Sequence, residues 1–100
     1  MEKKYLKTSK GKGDKEVSVV IEKDFSINNI MPIKSEFTEI LSKNNTINIE
    51  LKDIENLDLT SVQLLYSLKK FPGKKIEIQS NIKEDLKNII INAGLKEIIN

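Results

Sequence analysis

Val17, Val19 and Ile21 alternate with Ser18, Val20 and Glu22, a period of two that predicts a strand with one face buried and the other partly so. Ahead of it, Gly11-Lys12-Gly13-Asp14 predicts a flexible hairpin turn, so residues 1–13 supply a lysine-rich edge strand and its turn. The period then changes. Ile30, Ile33, Phe37, Ile40 and Leu41 recur at helical spacing, Pro32 suits a first turn and Asn44-Asn45 a stop, which predicts a helix over 31–43. Ile47, Ile49 and Leu51 alternate with Thr46, Asn48 and Glu50, predicting a strand that leaves through an acidic turn. Val62, Leu64, Leu65 and Leu68 return to helical spacing, and this helix ends before Pro72-Gly73. Residues 75–79 read as a short strand with Ile76 and Ile78 inward. Ser80 or Asn81 then caps a last helix through Ile82, Leu86, Ile89, Ile90 and Ala93. Asn81 and Glu84 have capping-box spacing, Gly94 suits the C′ position, and residues 95–100 form a short tail.

Strand, strand, helix, strand, helix, strand, helix is the pattern of one α/β domain spanning residues 1–100. It predicts a single mixed, mostly parallel sheet opened by an N-terminal antiparallel hairpin, with helices placed by right-handed crossovers. A chain of 100 residues with 38% hydrophobic content can bury an ordinary core without staples.

Composition removes several function classes. There is no cysteine and no histidine, so thiol catalysis, zinc–thiolate sites and the commonest general base are all absent. An enzyme built on Asp58, Tyr66 or Lys69 has no nucleophile with an adjacent base, and the expectation is a non-catalytic protein that calls for no cofactor and no metal. All 17 basic residues are lysine, which denies the bidentate guanidinium contacts favoured for phosphate and guanine, and five scattered aromatics make no stacking platform. Nucleic acid is therefore not an expected partner. Residues 1–15 hold six lysines against Glu2 and Asp14, so the +2 net charge originates at the front of the chain. Lysines there suit a solvated edge strand that resists sheet-to-sheet aggregation. Lys69-Lys70 and Lys74-Lys75, around Pro72-Gly73, read as a solvated helix end favoured by the dipole. No apolar run is long enough to span a bilayer and no signal peptide is evident, so membrane insertion is not expected and a cytoplasmic location is.

The chemistry-bearing stretch is Leu57-Asp58-Leu59-Thr60-Ser61-Val62-Gln63-Leu64-Leu65, where a strand enters a helix through an acid and two hydroxyls. Backbone N–H groups are unpaired at a helix start and the dipole is positive there, so a phosphate on either hydroxyl would be stabilised. The same residue types are also the usual N-caps, and Asp58, Thr60 or Ser61 could each fill that role.

This run resembles the signature of the STAS domain family, shared by anti-sigma factor antagonists and the cytoplasmic tails of sulfate transporters. Ala93-Gly94-Leu95 is similar to the motif that closes the family's last long helix, and the element order matches over roughly residues 14–100. The resemblance implies a STAS-like sheet with helices mainly on one face. It implies a protein-interaction module that docks an ATP-binding serine kinase or anti-sigma factor in bacterial transcription control and releases it on phosphorylation. Thr60 falls on the phosphoacceptor position, and Ser61 stands where a Gly is usual and offers an alternative acceptor. Asp58 falls on the acidic position. Leu59, Val62 and Gln63 continue the partner-binding run, and Asp24 resembles a loop Asp near the acceptor. The alternative is a STAS adaptor subunit of a chemotaxis, two-component or ABC lipid-transport complex with no phospho-switch.

Overall fold

The computed structural model describes residues 6–11, 13, 15–92 and 94, leaving aside the side chain of Asn81. The elements follow in the order β1 (Leu6–Lys10), β2 (Glu16–Phe25), α1 (Ile30–Lys43), β3 (Thr46–Leu57), α2 (Leu59–Lys69), β4 (Lys75–Asn81) and α3 (Glu84–Asn92). They build one sheet of order β1-β2-β3-β4, with β1 antiparallel to β2 and the remaining pairs parallel. This is the mixed sheet that the alternation of periods predicts. Lys12, Asp14, Ala93 and the tail 95–100 lie outside the described residues, so the hairpin tip and the Ala93–Leu95 part of the closing motif are not located. Gly94 has φ +78°, and its amide donates to the Ile91 carbonyl at 2.9 Å, as suits a helix exit that only Gly enters without strain.

One face of the sheet forms the core. Val17, Val19, Ile21 and Phe25 of β2, Ile47, Ile49 and Leu51 of β3, and Ile76 and Ile78 of β4 are buried beneath the helices. Each of them alternates with a polar or half-exposed neighbour on the other face. Stepping through the strands in sequence order with right-handed crossovers puts the connecting helices on the same side, and their buried residues agree. Ile33 and Phe37 of α1, Val62, Leu65 and Leu68 of α2, and Leu86 and Ile90 of α3 complete a single cluster.

Two expectations are corrected. β3 does not end in an acidic turn after Leu51; it continues to Leu57, still paired with β2. Glu22 faces Lys52, Lys23 faces Ile54 and Asp24 faces Asn56, so Asp53 and Glu55 are extra residues in β3 and form two successive bulges. Each insertion shifts the phase of the strand, and Leu51, Ile54 and Leu57 consequently all turn into the core. The bend places Lys23 and Asp53 at φ 66° and 50°, a region that residues with a Cβ enter only when their surroundings hold them there. The last helix also begins later than expected. Asn81 belongs to β4 and Ile82 is buried ahead of the helix, whose first turn closes when the Lys87 amide donates to the Lys83 carbonyl at 3.0 Å. Neither Ser80 nor Asn81 is therefore its N-cap.

Candidate functional site

The C-terminal ends of β2 and β3 carry the loops that start α1 and α2, the end of an α/β sheet at which ligands and partners are usually met. Asp58 is the hinge between them. Its backbone is extended, at φ −137° and ψ −178°, while the next residue is already helical, which makes it the N-cap of α2 and decides among the three candidates. Leu59, Thr60 and Ser61 take the N1, N2 and N3 positions.

The Asp58 carboxylate is fully engaged. Oδ1 accepts from the Ser61 amide at 3.1 Å and from the Thr60 hydroxyl, and Oδ2 accepts from the Ile27 amide at 2.8 Å across the β2–α1 loop. Ser61 completes a capping box with a hydroxyl in place of the usual Glu or Gln. Its Oγ accepts from the Asp58 amide at 3.1 Å and donates to the Asp58 carbonyl at 2.8 Å. A Gly at this position could make neither bond, so the side chain that departs from the STAS pattern fixes the helix start.

Burial works against the Asp58 charge, but hydrogen bonds from the Thr60 hydroxyl and from the Ile27 and Ser61 amides outweigh it and hold the carboxyl below its ordinary value of 3.8. A group whose folded pKa is lowered contributes stability that is fully present above the unfolded pKa and is lost as pH falls through the folded one. Urea denaturation between neutral pH and about pH 3 should therefore show an acid-side loss of stability that Asp58→Asn reduces.

The remaining candidates divide by exposure. Leu59 is 52% exposed, Gln63 is exposed and Thr60 is half-buried, so all three reach the surface. Ser61 and Val62 are both 0% exposed. Val62 packs in the core and holds α2 to the sheet, which removes its side chain from any partner surface, and Ser61 is enclosed by its own capping bonds.

Asp24 organises the neighbouring loop. Its carboxylate accepts from the Ser26 hydroxyl and from the Asn28 amide side chain at 3.3 Å, and its carbonyl accepts from the Asn29 side chain at 2.9 Å. Asn29 flanks α1 but spends its side chain on that carbonyl and gives the helix no side-chain cap.

Two residues of this rim were not among the sequence candidates. Ile27 and Met31 are 61% and 72% exposed, in the loop and first turn of α1, and with Leu59 they put three large apolar side chains at the same end of the sheet. The signal was present in that Met31 falls outside the helical stripe of Ile30, Ile33 and Phe37. Among the described residues no cluster of three or more carboxylates is placed to hold a metal ion, and no helix is long and apolar enough to cross a membrane.

No protein-family model matches the sequence, and no curated protein matches it. Among solved structures, the anti-sigma factor antagonist SpoIIAA in its unphosphorylated form superposes with a TM-score of 0.72, covering 95% of this chain and 85% of that one at 12% identity. At that identity the likeness is one of fold, and the fold is the STAS-like one that the sequence resembles.

Proposed function

We propose that this chain is a non-catalytic protein-interaction module of the anti-sigma factor antagonist kind, docking an ATP-binding serine kinase or anti-sigma factor on the rim around Asp58. In this reading Leu59, Ile27 and Met31 supply apolar contact, Gln63 and Asp24 supply polar contact, and Thr60 is the phosphoacceptor. Ser61 is set aside as acceptor because its hydroxyl is enclosed.

The observation that carries the reading is a shared carboxylate. The group that accepts the Thr60 hydroxyl proton also holds the Ile27 amide of the opposite loop. Esterifying Thr60 removes that proton and sets about −1.5 to −2 charges against Asp58. Attraction becomes repulsion at a carboxylate that both loops depend on, and an apolar partner surface would have to desolvate the new charge. The positive end of α2 tolerates the phosphate, so binding is lost without loss of the fold.

The test is a pull-down from the native cell with wild type and Thr60→Glu, with bound proteins and phosphorylation at Thr60 read by mass spectrometry. A serine kinase or anti-sigma factor recovered with wild type and at least tenfold less with Thr60→Glu is the expected result, a difference of about 1.4 kcal/mol. Equal recovery of a partner with both variants would make the chain a constitutive adaptor and end the phospho-switch reading.

A further inference from the structure

The opposite end of the molecule carries a second surface with its own chemistry. α2 and β4 are joined through Lys69-Lys70-Phe71-Pro72-Gly73-Lys74-Lys75. Of the three phenylalanines, Phe25 and Phe37 are buried to within 1% while Phe71, in this turn, is 41% exposed. The tip stands clear of the protein, since a Cβ added at Gly73 meets nothing within 4 Å.

The turn is also anchored. Lys74 Nζ donates to the Asn44 carbonyl at 2.7 Å and to Asn45 Oδ1 at 3.2 Å, and the Lys75 amide donates to the Asn45 carbonyl at 2.9 Å. The Asn45 amide in turn donates to the Lys15 carbonyl at 2.7 Å. Three turns, β1–β2, α1–β3 and α2–β4, thus form one tied surface at the N-terminal ends of the parallel strands.

Charge is polarised along the strand axis. Among the described residues, Lys10, Lys15 and Lys43 join the four lysines of the α2–β4 turn at this end, of which Lys69 donates to the Ile76 carbonyl at 3.1 Å, and the carboxylates described there are Glu16, Glu39 and Glu77. Glu39 and Glu77 pair with Lys43 and Lys75, and Glu16 accepts from the Asn48 side chain at 3.0 Å. Lys70 lies 5.5 Å from the centroid of the Tyr66 ring, beside Phe71. At the other end Asp24, Asp53, Glu55 and Asp58 lie among Lys23, Lys52 and Lys83, and Lys23 pairs with Glu55. Among the described residues, positive charge is in this way concentrated on one pole.

We propose that this pole docks on an anionic lipid bilayer, with Phe71 and Pro72 entering the headgroup boundary and the surrounding lysines meeting the lipid charges. Compact ammonium charges around one projecting apolar tip provide the two signals that peripheral membrane attachment requires. A nucleic acid would favour arginine forks and several stacking rings, and this surface has neither. Docked in this way, the molecule holds Asp58, Thr60 and Leu59 on the side away from the bilayer, open to a protein.

Co-sedimentation of the full chain with vesicles tests the proposal. Retention is expected on phosphatidylcholine vesicles containing about one-third phosphatidylserine at about 0.1 M salt, with release near 1 M salt and no retention on phosphatidylcholine alone. Lys15→Ala with Lys70→Ala, both at exposed positions, should weaken binding roughly tenfold or more. Phe71→Ser, with every lysine intact, should weaken it roughly fivefold. Circular dichroism confirms that each variant keeps its fold. Absence of retention on the anionic vesicles, equal retention on neutral ones, or variants that bind like wild type would each overturn the proposal. Tighter binding to single-stranded polyuridine than to the vesicles would assign the surface to nucleic acid and overturn it as well.

Discussion

Asp58→Ala is expected to lower stability by about 2 kcal/mol and to release the β2–α1 loop from α2. An N-cap is typically worth about 1 kcal/mol. The excess arises because this carboxylate has three donors: the Ser61 amide lies within a fully buried residue, and the Thr60 hydroxyl and Ile27 amide lose their acceptor as well. For a domain of this size the melting temperature should fall by roughly 8–16 °C, measured by calorimetry. Asp58→Asn separates the two roles. Its amide oxygen still caps α2, whereas its NH2 would face the Ile27 amide donor to donor, so Asn should keep the cap, lose the inter-loop bond and cost less than half of what Ala costs. A loss as large for Asn as for Ala would show that the carboxylate charge, and not its capping geometry, dominates. Hydrogen exchange at the Ile27 amide should accelerate in both variants. Protection unchanged there would refute the coupling of the two loops.

The second large effect is expected at Phe25→Ala, which should cost about 3–5 kcal/mol, a substantial fraction of the roughly 5–15 kcal/mol available to a small domain. Phe25 closes β2, is 0% exposed and pairs in register with Leu57 directly before the Asp58 cap. Its removal leaves a cavity under the rim that the sheet cannot collapse to fill, because the bulged end of β3 already directs Ile54 and Leu57 inward. Guanidinium denaturation reads the loss directly. A cost below about 1 kcal/mol would mean that the rim is supported from elsewhere.

The fold was legible where one period held. Ile47 to Leu51 and Ile76 to Ile78 kept a strict alternation, Val17 to Ile21 kept one broken only by Val20, and the stripe from Ile30 to Leu41 kept a helical period, so these elements lie close to their expected positions. The second half of β3 was illegible for a physical reason: two inserted residues convert a period of two into a spacing of three at Leu51, Ile54 and Leu57, and the acidic residues between them read as a turn. The sequence pattern places Ile82 in a helix for a similar reason, since it is apolar and adjacent to one while lying before its first turn. At the site, chemistry named Asp58, Thr60 and Ser61 together, but only backbone geometry separates the cap from the residues it holds. Val62 illustrates the limit of reading a run of residues as one surface, since a helix sends successive side chains in different directions. The part played by Ile27 required the hydrogen bond between loops 31 positions apart.

The sheet is laid down in the order in which the chain is synthesised, because each strand pairs with the one immediately before it in sequence. Each strand from β2 onward therefore finds a pairing partner already translated when it emerges from the ribosome. Once Lys69 has cleared the exit, three strands, two helices and the Asp58 clasp on Ile27 can all be in place. The rim can thus be complete before β4 has been made, and the final unit, β4 with α3, adds to an edge already formed.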